Sequence, residues 1–261
     1  DITVTGSGTH TVATVNPGTA RHIVRDPRTG TKFLIDSNGV VWYNDNGLYL
    51  VLSTNTAKTN AAGNGLAVFR VSDGTATYLF AFRNALIDVI NVFGTSNKET
   101  PSWTYGWKTM NSTAGSGNSH HAVVGQDNIV YFTDDRYVGS IVENAGSVFD
   151  PASAGTYTFN ASALDLPLGS LAYWLEQLGV NLLISVSNDS YLYPWDRTSD
   201  SYGLPIPIGE HGGNKMKNVG NVVYILAGTK GNIYWTQGTY CRLFKALPAY
   251  LTSNATTVPS S

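Results

Sequence analysis

Disulfides cannot hold this chain together, because Cys241 is the only cysteine in 261 residues. The burial habit of free cysteine places it in a strand as a small hydrophobe rather than as a nucleophile. Charge is scarce too: charged residues make up 13% of the chain, well below the usual share in globular domains. A net charge of −2 supplies no basic field for nucleic acid and no cationic face for a membrane. No apolar run reaches the ~18 residues that suggest a transmembrane helix, so membrane insertion is not expected. No secretory leader is legible, and Asp1 rather than Met opens the chain, as at a processed terminus or a fragment boundary. Catalytic signatures are missing as well. There is no His-Glu-x-x-His, no Gly-x-Ser-x-Gly, no phosphate loop and no Gly-x-Gly-x-x-Gly. The expectation is a non-enzymatic chain with no catalytic residues, no cofactor and no metal.

What is abundant is turn chemistry between short β-prone runs. Lys32 to Leu52 reads as three apolar runs separated by Asp36-Ser37-Asn38-Gly39 and Asn44-Asp45-Asn46-Gly47. Asn-Gly favours a type I′ turn with positive φ at both residues, so this is a three-stranded meander. The phrase returns in Leu66–Phe93, His121–Val142, Leu171–Ile208 and Asn221–Phe244. Residues 94–118 and 144–170 read as long loops, the second with a strand at 156–159. Pro205 and Pro207 confine their segment to a sheet edge, since proline cannot donate to a ladder.

The second strands carry aromatics at Trp42, Tyr78, Tyr131, Tyr193 and Tyr234, spaced 36, 53, 62 and 41 residues apart. An irregular period of roughly 40 or more residues, one meander each, is how propeller blades read once loops are inserted. The expected fold is all-β: a five-bladed β-propeller over residues 1–251, followed by a polar tail at 252–261. A β-sandwich of similar strand count is the alternative. An open ring would expose two sheet edges, and the alternating Thr9–Val15 segment is expected to close it as a strand on the fifth unit.

Candidate site residues are few. Trp103, Tyr105 and Trp107 lie outside the blade repeat, and a spacing of two puts them on one face of an extended segment. They suit a sugar-stacking platform or a subunit contact, or they cover a blade edge. His120, His121, Glu210 and His211 form the best polar constellation. Metal ligation at one end of the channel is one reading, and ordinary hydrogen-bonding histidines near the axis the favoured one. Asp134, Glu143 and Glu210 are the carboxylates to consider for a glycosidase pair, which must face each other ~5–9.5 Å apart. Asp45, Asp134 and Asp196, however, recur just after the aromatic strand, where a turn favours Asp. The Ser-x-Asp-x-Gly-x-Thr-Trp box of sialidase-type propellers is absent.

The wording Val-Val-Tyr-Ile-Leu-Ala-Gly-Thr-Lys-Gly-Asn-Ile-Tyr-Trp-Thr-Gln-Gly-Thr-Tyr at 222–240, and the stretch His121–Val142, resemble propeller-like virion proteins of tailed bacteriophages. The resemblance covers about two units. It implies a structural or host-surface-binding module of tail or capsid, located in the virion or extracellularly. Its partners would be other virion proteins or a host-surface glycan, with a homo-oligomer admissible. A secreted glycan-binding lectin and a five-bladed glycoside hydrolase are the alternatives.

Overall fold

The computed structural model describes residues 19–45, 48–53, 65–92, 101–111, 120–166, 171–186, 190–208, 215–219, 222–227, 232–237 and 243–246. These residues form five antiparallel sheets in which chain neighbours pair. The first holds β1 (Ala20–Arg25), β2 (Lys32–Asp36), β3 (Val41–Asp45) and β4 (Leu48–Ser53). The second holds β5 (Gly65–Arg70), β6 (Thr77–Arg83), β7 (Leu86–Asn91) and β8 (Ser102–Thr109). The third holds β9 (Ala122–Val124), β10 (Val130–Asp134), β11 (Tyr137–Glu143) and β12 (Tyr157–Asp165). The fourth holds β13 (Ala172–Leu178), β14 (Asn181–Val186) and β15 (Tyr191–Asp196), with β16 (Ser201–Tyr202) and β17 (Ile206–Pro207) both on β15. The fifth holds β18 (Lys215–Val219), β19 (Val222–Ala227), β20 (Asn232–Gln237) and β21 (Leu243–Ala246).

The first strand of each sheet lies at one edge of it. β1 packs on β5, β5 on β9, β9 on β13 and β13 on β18. All five of these strands contribute to the wall of one cavity. Separate sheets set around an axis in this way make a β-propeller. The sandwich alternative fails, because a sandwich buries its core between two sheets.

Local sequence explains the turns, with one correction. At 36–40 only Gly39 takes a positive φ, 78°, so Asn38-Gly39 is not a type I′ pair. Gly39 N–H donates to the Asp36 carbonyl at 3.0 Å, and Asp36 N–H to the Val40 carbonyl at 3.1 Å. The Asp36 carboxylate overrides the dipeptide preference. It accepts the Asn38 and Val40 N–H groups through Oδ1 and the Trp42 indole N–H through Oδ2. The turn at 125–129 repeats this backbone pattern, with Asn128 at φ 60°.

The second, third and fourth sheets bury both faces against their neighbours. On β6, Leu79 and Ala81 face the first sheet, while Tyr78, Phe80 and Phe82 face the third. Phe149, from the segment after β11, enters that second wedge and meets Phe69, Tyr78, Phe80, Trp107 and Tyr157 within 5.7 Å. Tyr131 and Tyr193 join the wedge between the third and fourth sheets. Fully burying such side chains stabilises by roughly 1.5–3 kcal/mol each. Gly65 is required where sheets two and three converge, because a Cβ there would strike the His120 carbonyl. Gly139 lies under the Phe132 ring and has no room for one either.

Three expectations about strands need correction. The segment expected as a loop at 94–118 contains β8, and the strand expected at 156–159 continues to Asp165 as β12. β18 was not expected at all: in Lys-Met-Lys-Asn-Val only Met216 is buried, so the apolar signal is one residue. The proline segment does lie at a sheet edge, on β15, as expected. Thr9–Val15, Tyr240–Arg242, the tail at 252–261 and the assigned closure lie outside the described residues.

Candidate functional site

The inner ends of the sheets bury several polar side chains, among them His22, His121 and Glu176. His22 on β1 and His121, just ahead of β9, meet at the axis with ring centroids 4.3 Å apart. Trp174 of β13 stacks on His121 at 3.8 Å. Both histidines also act as staples between sheets. Leu66 N–H donates to His22 Nδ1 at 2.9 Å, and Leu175 N–H to His121 Nδ1 at 3.2 Å. A nitrogen that accepts cannot carry the proton, so each neutral ring is the Nε2–H tautomer. Burial holds His22 down to about 3, with Lys217 adding to the effect. Burial likewise keeps His121 well below its ordinary value, helped by His22 and Lys217. A charged imidazole would lose its water shell here without gaining a counter-ion.

Two lobes of cavity flank this stack. The larger, about 550 Å³, runs along the ends of β1, β5 and β9 and is bordered by Arg25, Lys32, Arg70 and Lys217. Its single carboxylate among the described residues is Glu176, whose titration is pushed up by burial against the pull of Lys217, 4.0 Å away. The smaller, about 390 Å³, lies by Arg21, Trp174 and Lys217. The indole N–H of Trp174 is buried with no hydrogen-bond partner among the described residues. The cluster of four cations and one carboxylate contrasts with the chain's overall charge. It was not found in the sequence because those residues come from separate strands, each alone an ordinary surface cation.

The expected site residues scatter. Trp103 and Tyr105 stack at 5.1 Å on β8, and Tyr105 is 44% exposed. Trp107 does not share their face, contrary to the spacing argument. Gly106 takes φ 59°, and the β7–β8 register shifts between Ile87 and Val89. This bulge turns Trp107 into the aromatic wedge, where its indole N–H donates to the Pro151 carbonyl at 2.9 Å. Trp103 packs instead on the opposite cluster, toward the first sheet. The bulge is held by Asp88, which accepts Gly106 N–H at 2.6 Å and pairs with the buried Arg83. Arg83 also donates to the Gly39 carbonyl at 3.0 Å, tying the second sheet to a turn of the first.

His120 and His121 part company, as neighbours in an extended chain should. His120 sets Nδ1 2.7 Å from the Thr133 carbonyl and Nε2 2.6 Å from the Asn84 carbonyl, the tautomer deciding which of them receives its N–H, and so bridges sheets three and two. Only His121 borders the cavity. Glu210 and His211 lie outside the described residues, among which no group of three or more His, Cys, Asp or Glu could hold a metal. The carboxylates considered for glycosidase chemistry are engaged with backbone. Asp134 accepts Asn111 N–H at 2.7 Å. Glu143 accepts Ser72 N–H at 3.0 Å and Phe149 N–H at 2.9 Å, and neither residue lines the axial cavity. Asp196 caps its turn by accepting the N–H groups of Thr198 and Ser199, which hold its carboxyl below the usual range.

Searches against family models and curated proteins find no match. Solved structures do match. The β-propeller domain of Cps50 (Swd1) from Myceliophteria thermophila is similar at 11% identity and TM-score 0.54, covering 87% of this chain and 67% of that one. The WD40 repeats of RRP9 are similar at 12% identity and TM-score 0.54, covering 88% and 64%. A chain of a nidogen–laminin complex is similar at 12% identity and TM-score 0.52, covering 84% and 75%. At such identities the likeness establishes the fold, a β-propeller, and nothing about activity.

Proposed function

We propose that this chain is a non-enzymatic binding and assembly module built as a five-bladed propeller, of the kind carried by virions of tailed bacteriophages. Five successive sheets around a shared cavity support the blade number. Lys217 of the fifth sheet borders the same cavity as His22 of the first, as a closed ring requires. β21 gives the fifth sheet a fourth strand, so Thr9–Val15 would close the ring by adding outside it. The wording of residues 121–142 and 222–240 supports the virion setting.

The observation that carries the binding role is the stacked Trp103–Tyr105 pair on β8, the outer edge strand of the second sheet. An exposed aromatic face on a strand that no further described strand pairs suits sugar stacking or contact with a neighbouring virion subunit. The engagement of Asp134, Glu143 and Asp196 with backbone N–H groups supports a non-catalytic reading. A glycan array, with pull-down against virion fractions, tests it. Tyr105→Ala should abolish capture while leaving the melting temperature within about a degree of the parent, as surface substitutions do. Capture unchanged in Tyr105→Ala and in Trp103→Ala would overturn the role of this surface. Turnover of a chromogenic glycoside would overturn the non-enzymatic reading.

A further inference from the structure

We infer that the axial channel is an anion-binding site, taking a compact ligand that presents phosphate or carboxylate oxygens. Arg25 and Arg70 reach the larger lobe from equivalent ends of β1 and β5, with Lys32 opposite Arg25 across the β1–β2 ladder. Among the described residues no ion pair or hydrogen bond engages any of these three side chains. The carboxylates of the same turns are already committed elsewhere. Asp26 accepts from Arg28 N–H and the Thr29 hydroxyl, Asp73 from Thr75, and Asp127 pairs with Arg197 at 2.7 Å. Among the described residues only the carboxylate of Glu176 borders the lobe with these cations, and Lys217 stands 4.0 Å from it.

Unpaired cations gathered around a concave wall repel one another, and an anion relieves that repulsion. The walls are apolar between the charges, with Val24, Val68, Val123 and Val124, and the four cations are themselves exposed, within reach of a ligand that enters the lobe. The axis supplies further donors. The His22 and His121 tautomers leave Nε2–H as the remaining donor of each ring, and the Trp174 N–H has no partner among the described residues. Every one of these groups donates, while the only carboxylate beside them among the described residues is the buried Glu176. The volume of about 550 Å³ is that of a small-molecule site. This site is separate from the β8 surface, so either can fail without the other.

The test is calorimetric titration of the full chain at pH 7 in low-chloride buffer, with inorganic pyrophosphate and with citrate as probes. One saturable site is expected for at least one probe, weakening steadily as sodium chloride is added. Pyrophosphate alone would mark a phosphoryl ligand, and citrate alone a carboxylate one. Arg25→Gln with Arg70→Gln should weaken binding tenfold or more. Its unliganded melting temperature should match or exceed the parent's, since like charges are removed. Lys32→Gln should weaken binding less, and Arg136→Gln, on an exposed hairpin away from the channel, should leave it unchanged. Absence of saturable binding by both probes overturns the inference, as does equal binding by the folded double variant and the parent.

Discussion

The wedges between sheets are buried, while the channel at their axis keeps its four cations exposed, and the two are built from opposite chemistry. The second wedge is dry and aromatic: Phe69, Phe80, Phe82, Phe132 and Phe149 interlock with Trp107. The channel is lined by histidines, arginines, lysines and one carboxylate. In a wedge each side chain has one duty, to fill volume. At the axis the strands diverge less from the centre, so backbone and polar groups crowd together and must satisfy one another. The difference teaches that packing volume and gathered charge are segregated here: apolar rings fill the wedges, and the cations border the cavity at the axis.

The sharpest break of that contrast is a wedge truncation. Phe149→Ala should cost about 3–5 kcal/mol in denaturant unfolding, because five rings lose a shared partner and leave a cavity. A cost under about 1 kcal/mol would show the wedge to be loosely packed. Trp107→Ala should fall in the same range as Phe149→Ala, whereas Tyr105→Ala, two residues away, should stay within about 0.5 kcal/mol. Equal effects at 105 and 107 would mean the Gly106 bulge does not divide the strand.

The Arg83–Asp88 pair is a charged intruder in the wedge region and tests it from the other side. Asp88→Ala should destabilise by about 3–5 kcal/mol by leaving a buried guanidinium uncompensated. Arg83→Met combined with Asp88→Leu should recover much of that loss. A double variant as unstable as the single one would show that the Gly39 and Gly106 hydrogen bonds, rather than the charge pairing, matter most.

Acid should act on the axis and spare the wedges. His22 titrates near 6.5 when unfolded and about 3 when folded. Between those values the unfolded state binds the extra proton, so stability is complete above pH 6.5 and falls as pH drops toward 3. His121 shifts in the same direction. Each histidine should steepen the fall by up to about 1.4 kcal/mol per pH unit. His22→Gln, which keeps an acceptor for Leu66 N–H, should flatten the profile measured by denaturant midpoints from pH 7 to pH 4. An unchanged slope would show that the ring is hydrated rather than buried. The smallest expected effect is on the turn at 36–40. Asn38→Ala should cost only a few tenths of a kcal/mol, since Gly39 alone needs the positive φ there.

The sequence by itself determined the β class, most strand positions in four units and three aromatic anchors of the wedges, Tyr78, Tyr131 and Tyr193. These are local or periodic properties: turn residues punctuate the chain, and inward side chains repeat from sheet to sheet. It did not reveal β18, whose inner face looks onto a channel and therefore lacks apolar alternation. Nor did it reveal β8, where a glycine bulge held by Asp88 breaks the period of two and sends Trp103 and Trp107 to opposite sides. Tertiary structure alone decided which histidines meet. His22 and His121 are 99 positions apart in the chain and stack at 4.3 Å, while His120, next door, is drawn to Asn84 and Thr133. It also brought Arg25, Arg70 and Lys217 to one cavity. A lone cation reads in sequence as a solvated surface residue. Its meaning changes only when packing sets several strands around a common axis and gathers their cations at one cavity.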